Sequence, residues 1–452
     1  MASPAHFEPA SLKVFGIPEL AISICAATQK RDNASLMRVC RQLFYCILPF
    51  VWEEVDEANA LVSLIPGGGI VTYDYELLQY VVMKLPNSLE LSRFNIYAPH
   101  VKRLTPSALC VDEYDGWEEF LSCTRSTHLL PNLETLYLPA IESMQHTDKY
   151  GNIEVDVVNW ITVFLSASLQ TLVLTPLGIT DPVDHTYWLD FGQANNLMKS
   201  VSQKCPGLRS LNILPREANP GDLAWDTIVN LCKSKPLVAR LHSLTISEPE
   251  RFNFPSSNEW TTSLSDIIPL LSANQSSITS LIVRDEECPE FSDGVLECWR
   301  CLLLVNLELG WFVNRYNGFG TLSSVLRCLP LLEDLKLGSF EADFELEQLR
   351  SIVELLPNLR RIRALIKWET IIHLTSEDFR PCRSQSSRPL CIVSDFYLPE
   401  AQQEGAERLA RYLSILRPSA PVVCESYQLC PYPSDDNSHY MINLELSRLR
   451  HG

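Results

Sequence analysis

Leu304 to Leu337 reads LVNLELGWFVNRYNGFGTLSSVLRCLPLLEDLKL, and its two ends carry the same phrase. Leu304-x-x-Leu307-x-Leu309 returns 28 residues later as Leu332-x-x-Leu335-x-Leu337. The fourth and sixth positions differ by two, so both point to one face of a short strand. The first position tucks into the core at the turn before that strand. Leu322–Leu329, between the phrases, has helical spacing of its apolar residues. One unit is therefore a strand plus a helix.

The phrase recurs along most of the chain. It reads Leu133-x-x-Leu136-x-Leu138, Leu169-x-x-Leu172-x-Leu174, Leu208-x-x-Leu211-x-Ile213, Leu241-x-x-Leu244-x-Ile246 and Ile278-x-x-Leu281-x-Val283 ahead of this pair, and Leu359-x-x-Ile362-x-Ala364 after it. Val101-x-x-Leu104 reads as a degenerate first copy. The first positions, from Leu133 onward, lie 36, 39, 33, 37, 26, 28 and 27 residues apart. Helix-like segments fill the gaps, at Val157–Leu165, Leu197–Gln203, Trp225–Cys232, Leu264–Leu271 and Leu346–Leu355. Units of this kind cannot bury their apolar faces alone and must stack on their neighbours.

The phrase resembles a leucine-rich repeat. The resemblance implies an α/β solenoid with a parallel sheet on its concave face and helices outside. The family phrase continues with Asn or Cys at its ninth position. Here that position holds Ile141, Leu177, Arg216, Pro249, Glu286, Phe312, Phe340 and Lys367, so the repeats are irregular in length and turn. Residues flanking the inward leucines face the concave side, which such solenoids use for binding. The third-position column runs Thr135, Thr171, Ser210, Ser243, Ser280, Asn306, Asp334, Arg361, and the fifth runs Tyr137, Val173, Asn212, Thr245, Ile282, Glu308, Lys336, Arg363. Tyr137, Asn212, Thr245, Glu308, Lys336 and Arg363 are the candidate substrate-binding residues, taken as a face rather than one by one.

A different pattern occupies Val14 to Val55, VFGIPELAISICAATQKRDNASLMRVCRQLFYCILPFVWEEV. Pro18 suits a first helical position and Glu19 complements the positive end of the helix dipole, with Leu20 and Ile24 one turn apart. After the turn signal Arg31-Asp32-Asn33, the apolar stripe Leu36, Val39, Cys40, Leu43 and Ile47 predicts a second helix. Pro49 opens a third short turn toward Val51 and Trp52. A unit of about 45 residues buries too little surface to stand alone, so it leans on a partner or on the rest of the chain.

Ile17-Pro18-Glu19-Leu20, the Asp32 loop, Leu36…Val39-Cys40-Arg41-Gln42-Leu43-Phe44 and Pro49…Trp52 resemble, in order and spacing, an F-box. The resemblance covers about a tenth of the chain. It implies docking on the Skp adaptor of a cullin–RING (SCF-type) ubiquitin ligase through Pro18, Glu19, Leu20, Ile24, Leu36, Val39, Cys40, Leu43, Phe44 and Trp52. The family carries bulky apolar residues in helix one and an Asp-Leu pair before helix two, where this chain has Cys25-Ala26-Ala27-Thr28 and Asn33-Ala34. The residues alone also allow an ordinary helical cap on the domain behind.

The chain has 452 residues and a formal charge of −18, against a nucleic-acid surface, which needs clustered Lys and Arg. The N-terminus shows no secretory pattern. Val157 to Thr180 is free of charge for 24 residues, yet its polar residues and its copy of the phrase make it helix-then-strand rather than a membrane span. Fifteen cysteines, many at apolar-periodic positions, read as reduced core thiols of a cytoplasmic or nuclear protein. Cys298-x-x-Cys301 lacks a second pair for zinc. Gly67-Gly68-Gly69 is not followed by Lys-Ser or Lys-Thr, so no phosphate loop is read there. The nine histidines are scattered, His100 and His242 among surface positions, and no catalytic signature is present.

Four segments result: a helical F-box-like domain over 11–55, a connection over 56–95, the solenoid with a C-terminal capping unit over 96–425, and a tail over 426–452. The expected function is non-catalytic and cofactor-free: a substrate-recognition subunit with the Skp adaptor, a cullin and a target protein as partners. A leucine-rich scaffold with no ligase attached is the other reading.

Overall fold

The structure is a computed structural model, and it describes residues 14–15, 17–75, 78–107, 111, 113–137, 153–174, 191–213, 224–247, 264–284, 291–310, 318–338, 344–375, 377, 379–382, 386–396, 402–426 and 438–451. The chain divides into two compact units, Met1–Leu211 and Asn212–Gly452. Each is an arrangement of parallel strands alternating with helices.

The first unit opens with three helices, Pro18–Ala27, Lys30–Leu36 and Arg41–Trp52. Their bounds differ from those the apolar stripe predicts. Arg31-Asp32-Asn33 is helix, not turn, and the chain breaks instead at Met37–Val39. Cys40 is the N-cap of the third helix, its Sγ accepting from the Leu43 N–H at 3.5 Å. Pro49 lies inside that helix rather than opening a new turn.

The strands of this unit are β1 (Glu54–Glu57), β2 (Gly69–Tyr75), β3 (Leu78–Lys84), β4 (Arg103–Ser107), β5 (Glu113–Asp115), β6 (Thr135–Tyr137), β7 (Thr171–Val173) and β8 (Ser210–Ile213), on which the division falls. β1, β4, β6 and β7 pair in parallel in that order. At each strand start one carbonyl accepts two successive N–H groups of the next unit. Glu53 accepts from Lys102 and Arg103, Lys102 from Glu134 and Thr135, Glu134 from Gln170 and Thr171, and Gln170 from Arg209 and Ser210, all at 2.8–2.9 Å. The first and fourth phrase positions (Val101, Leu104, Leu133, Leu136, Leu169, Leu172, Leu208 and Leu211) are 0% exposed. The degenerate copy at Val101 is therefore a full structural unit.

Residues 56–95, expected as connection, form helices and strands where they are described, and β1 begins just ahead of them. Val55 in β1 is buried opposite Leu104. Leu61 and Val62 of the helix Ala58–Val62 are wholly buried. β2 and β3 form an antiparallel hairpin, and β5 joins β3 in parallel. The triple glycine serves the turn into β2. Gly67 has φ +86°, and a Cβ on Gly68 would stand 2.7 Å from the Val62 carbonyl oxygen. The uncharged run at 157 holds the end of the helix Ile153–Phe164 and then β7. Among the described residues no helix is long and apolar enough to cross a membrane.

The second unit holds β9 (Ser243–Ser247), β10 (Ser280–Arg284), β11 (Asn306–Leu309), β12 (Asp334–Leu337), β13 (Arg361–Arg363), β14 (Leu390–Ser394) and β15 (Val422–Ser426). All pair in parallel with their sequence neighbours. The register stacks Leu244, Leu281, Leu307, Leu335, Ile362, Ile392 and Cys424 in one buried row. The paired-donor pattern continues: His242, Thr279, Val305 and Glu333 carbonyls each accept two N–H groups at 2.7–3.0 Å. Lys367 is the single ninth-position residue within the described parts. It precedes a short 3₁₀ helix, Trp368–His373, and its Nζ pairs with Glu345 Oε1 at 2.9 Å.

The repeat does not stop at one atypical cap. After β14 and the helix Gln402–Leu416 comes β15, whose buried Cys424 takes the place of a leucine. The segment expected as a tail contains the helix Ser438–His451, with Ile442 and Leu446 buried.

Candidate functional site

Two surfaces hold the residues singled out from sequence. On the first unit's helices, Cys25, Met37, Leu43, Ile47 and Leu48 form the buried cluster. Asn33 is buried there because its Nδ2 donates to the Cys25 carbonyl at 2.9 Å while Thr28 Oγ1 donates to its Oδ1 at 2.7 Å. That amide fixes the angle between the first two helices without a bulky contact.

Leu43 therefore belongs to the core and is not available to a partner of the folded chain. Leu36, Cys40, Phe44 and Trp52 are half-buried against the same cluster. Trp52 packs on Tyr97 with ring centroids 4.6 Å apart, a contact 45 residues distant in sequence. Ile24 is half-buried, Glu19 is exposed, and the Pro18 side chain lies outside the described residues. Leu20 is 43% exposed and Val39 68%. Val39 falls in the break between helices, so the stripe that sets it on one helix face with Leu43 loses its phase there. Sequence reasoning missed Ile22 and Tyr45, at 53% and 54% exposure, because they lie off that stripe. With Ile17, at 46%, these make five apolar side chains turned to solvent on a unit of three short helices.

The second surface is the strand face opposite the buried rows. In the first unit, Tyr137 stands level with Val173 and is half-buried. In the second unit, the register aligns Thr245, Ile282, Glu308, Lys336, Arg363, Val393 and Glu425 in one row. Beside it runs Ser243, Ser280, Asn306, Asp334, Arg361, Cys391 and Val423. Asn212, Glu308, Lys336 and Arg363 are half-buried; Thr245, expected on the open face, is buried.

Five consecutive strands turn this face into a charge lattice. Lys336 Nζ donates to Glu308 Oε1 at 2.7 Å across β11 and β12. Arg361 Nη2 reaches over β14 to Glu425 Oε2, also at 2.7 Å. Asp334 sits among Arg361, Arg363 and Lys336, yet burial outweighs those cations and holds its carboxyl above the usual range. At the strand starts, hydrogen bonding from Arg388, with Arg360 nearby, pulls Glu333 below it. The Cys391 thiol is pushed up to about 12, first by burial and then by its hydrogen bond to Glu425. At neutral pH it is a protonated donor, not a nucleophile. The lattice holds donors and acceptors of both signs.

Among the described residues no group of three or more His, Cys, Asp or Glu is placed to hold a metal ion. No family model matches the chain, and no curated protein matches it.

Proposed function

We propose that the chain is a substrate-recognition subunit of a cullin–RING (SCF-type) ubiquitin ligase. The N-terminal helices act as an F-box on the Skp adaptor, and the strand face of the leucine-rich repeats holds a target protein. The observation that carries this reading is the set of exposed apolar side chains, Ile17, Leu20, Ile22, Val39 and Tyr45, on a helical unit whose own core is already filled by Leu43 and Ile47. Apolar side chains left outside a completed core suit a protein partner. The role is positional: a tethered target raises the local concentration of its lysines near a recruited conjugating enzyme.

The test is co-purification of the full chain with a Skp-type adaptor, wild type against Leu20→Asp plus Val39→Asp. Both positions are exposed, so the variant keeps the fold and loses the adaptor. Wild type without adaptor, or a variant that retains it, overturns the reading and leaves a repeat scaffold with no ligase attached.

A further inference from the structure

Every sheet edge invites pairing with another chain unless something blunts it. β1 is four residues long, bulged between Val55 and Glu57, and three of its residues are carboxylates. The Lys30 ammonium also occupies the Glu54 carbonyl at 2.6 Å. β15 is closed by side chains of the helix Ser438–His451. Asn443 accepts from the Cys424 N–H at 2.9 Å and donates to the Cys424 carbonyl at 2.8 Å, as a neighbouring strand would. Arg450 takes the Val422 carbonyl at 2.6 Å. β5 has three residues, two of them acidic.

β2 carries none of these devices. It is the edge of the sheet ordered β2-β3-β5 and runs for seven residues, GIVTYDY, with no Pro, no Lys and one carboxylate. Among the described residues nothing bonds its outer edge. Ile70 and Tyr73 are 54% and 41% exposed, and Thr72 and Asp74 are exposed beside them. β5 pairs β3 only from Val82 onward, so the hairpin beyond that point is two strands with water on both faces. Two strands alone are marginal in water.

We propose that β2 is a self-association edge: two copies of the chain pair their β2 strands antiparallel about a two-fold axis at Thr72. An isologous antiparallel pair needs this axis normal to the sheet, so each residue meets the one equally far beyond Thr72. Val71 then faces Tyr73, Ile70 faces Asp74 and Thr72 faces its own copy. Aromatic with β-branched and Thr with Thr are favourable cross-strand pairs, and no like charges oppose. The pairing joins two three-stranded sheets into one of six and consumes the bare edge, so it closes at two copies. An edge contact of this kind falls below about 1,000 Å², so the dimer is weak. Each copy carries a charge of −18, so added salt strengthens it by screening.

Sedimentation velocity of the full chain tests this over a concentration series at low and moderate salt, with Thr72→Lys and Thr72→Val beside the wild type. Thr72 is exposed, so both variants fold, which far-UV circular dichroism checks. The wild type should shift from monomer to dimer with concentration and further with salt. Thr72→Val should match or exceed it. Thr72→Lys, which opposes like charges at the axis, should weaken the dimer several-fold or more. A wild type that stays monomeric overturns the proposal; so does a dimer indifferent to Thr72→Lys, or growth past two copies.

Discussion

Arg417, wholly buried, donates from Nη2 to the carbonyl of Leu356 at 3.0 Å and to that of Leu359 at 3.2 Å. Leu356 caps the C-terminus of the helix Leu346–Leu355, and Leu359 lies in the turn before β13. A cation at a helix C-terminus complements the dipole, although burial presses its pKa down. Arg417→Met should lower unfolding free energy by about 2 kcal/mol. The Leu356 carbonyl keeps the Leu359 N–H at 3.2 Å while the Leu359 carbonyl loses its donor, and a buried carbonyl left so costs about 1–3 kcal/mol. Urea titration measures it. No change in midpoint means the carbonyls find other donors.

The two neighbours of one apolar stripe should part in their effects. Leu43→Ala removes a core side chain and should cost about 2–5 kcal/mol. Val39→Ala, on a side chain mostly in solvent, should stay within about 0.5 kcal/mol. Thermal melts of the two variants separate them, and equal losses would mean that Val39 is covered in solution.

Adjacent carboxylates should give opposite pH dependences. Glu333 has its pKa lowered by Arg388, so its contribution is present above about pH 4.3 and is lost as pH falls through the lower folded value. Glu333→Gln should therefore destabilise at neutral pH, with the difference fading in acid. Asp334 has its pKa raised by burial, so ionising it opposes folding, and the penalty sets in as pH rises from about 3.9 through the folded value. Asp334→Asn should stabilise at neutral pH and lose that advantage in acid. Urea midpoints from pH 3 to 7, about the span of both titrations, give the two signs. The same sign for both would contradict the local electrostatics.

Two glycines should respond oppositely to alanine. A Cβ on Gly207 would stand 2.9 Å from the Ala167 carbonyl oxygen, so Gly207→Ala should cost about 1–3 kcal/mol. Gly294 lies in the helix Asp293–Arg300 with nothing nearer than Ser292 Oγ at 3.9 Å. Gly294→Ala should gain about 0.5–1 kcal/mol from helix propensity. Differential scanning calorimetry reads both.

The strand-and-helix alternation was legible because leucines recur at a spacing that only one strand face satisfies. Glu308 and Lys336 could be aligned from the phrase register, and they do pair. The partner of Arg361 could not, because Glu425 sits on β15, where Cys424 replaces the leucine that marks a unit. β1 was hidden for a similar reason: a single buried Val55 among carboxylates has no period to detect. In the helices, the stripe from Leu36 to Ile47 was real in composition but interrupted in structure at Met37–Val39, which turned Val39 outward.

What the sequence by itself determined is parity: which leucines face inward, and so which residues share the opposite face of each strand. That follows from the two-residue period of a strand and needs no partner. What only the tertiary structure decided is exposure: Leu43 inside and Val39 outside, Thr245 buried on a face expected to be open, β15 closed by Asn443, and β2 left bare. Exposure depends on how the chain breaks and on what folds across from a residue, such as Asn443 nineteen positions from Cys424, beyond the reach of a local period.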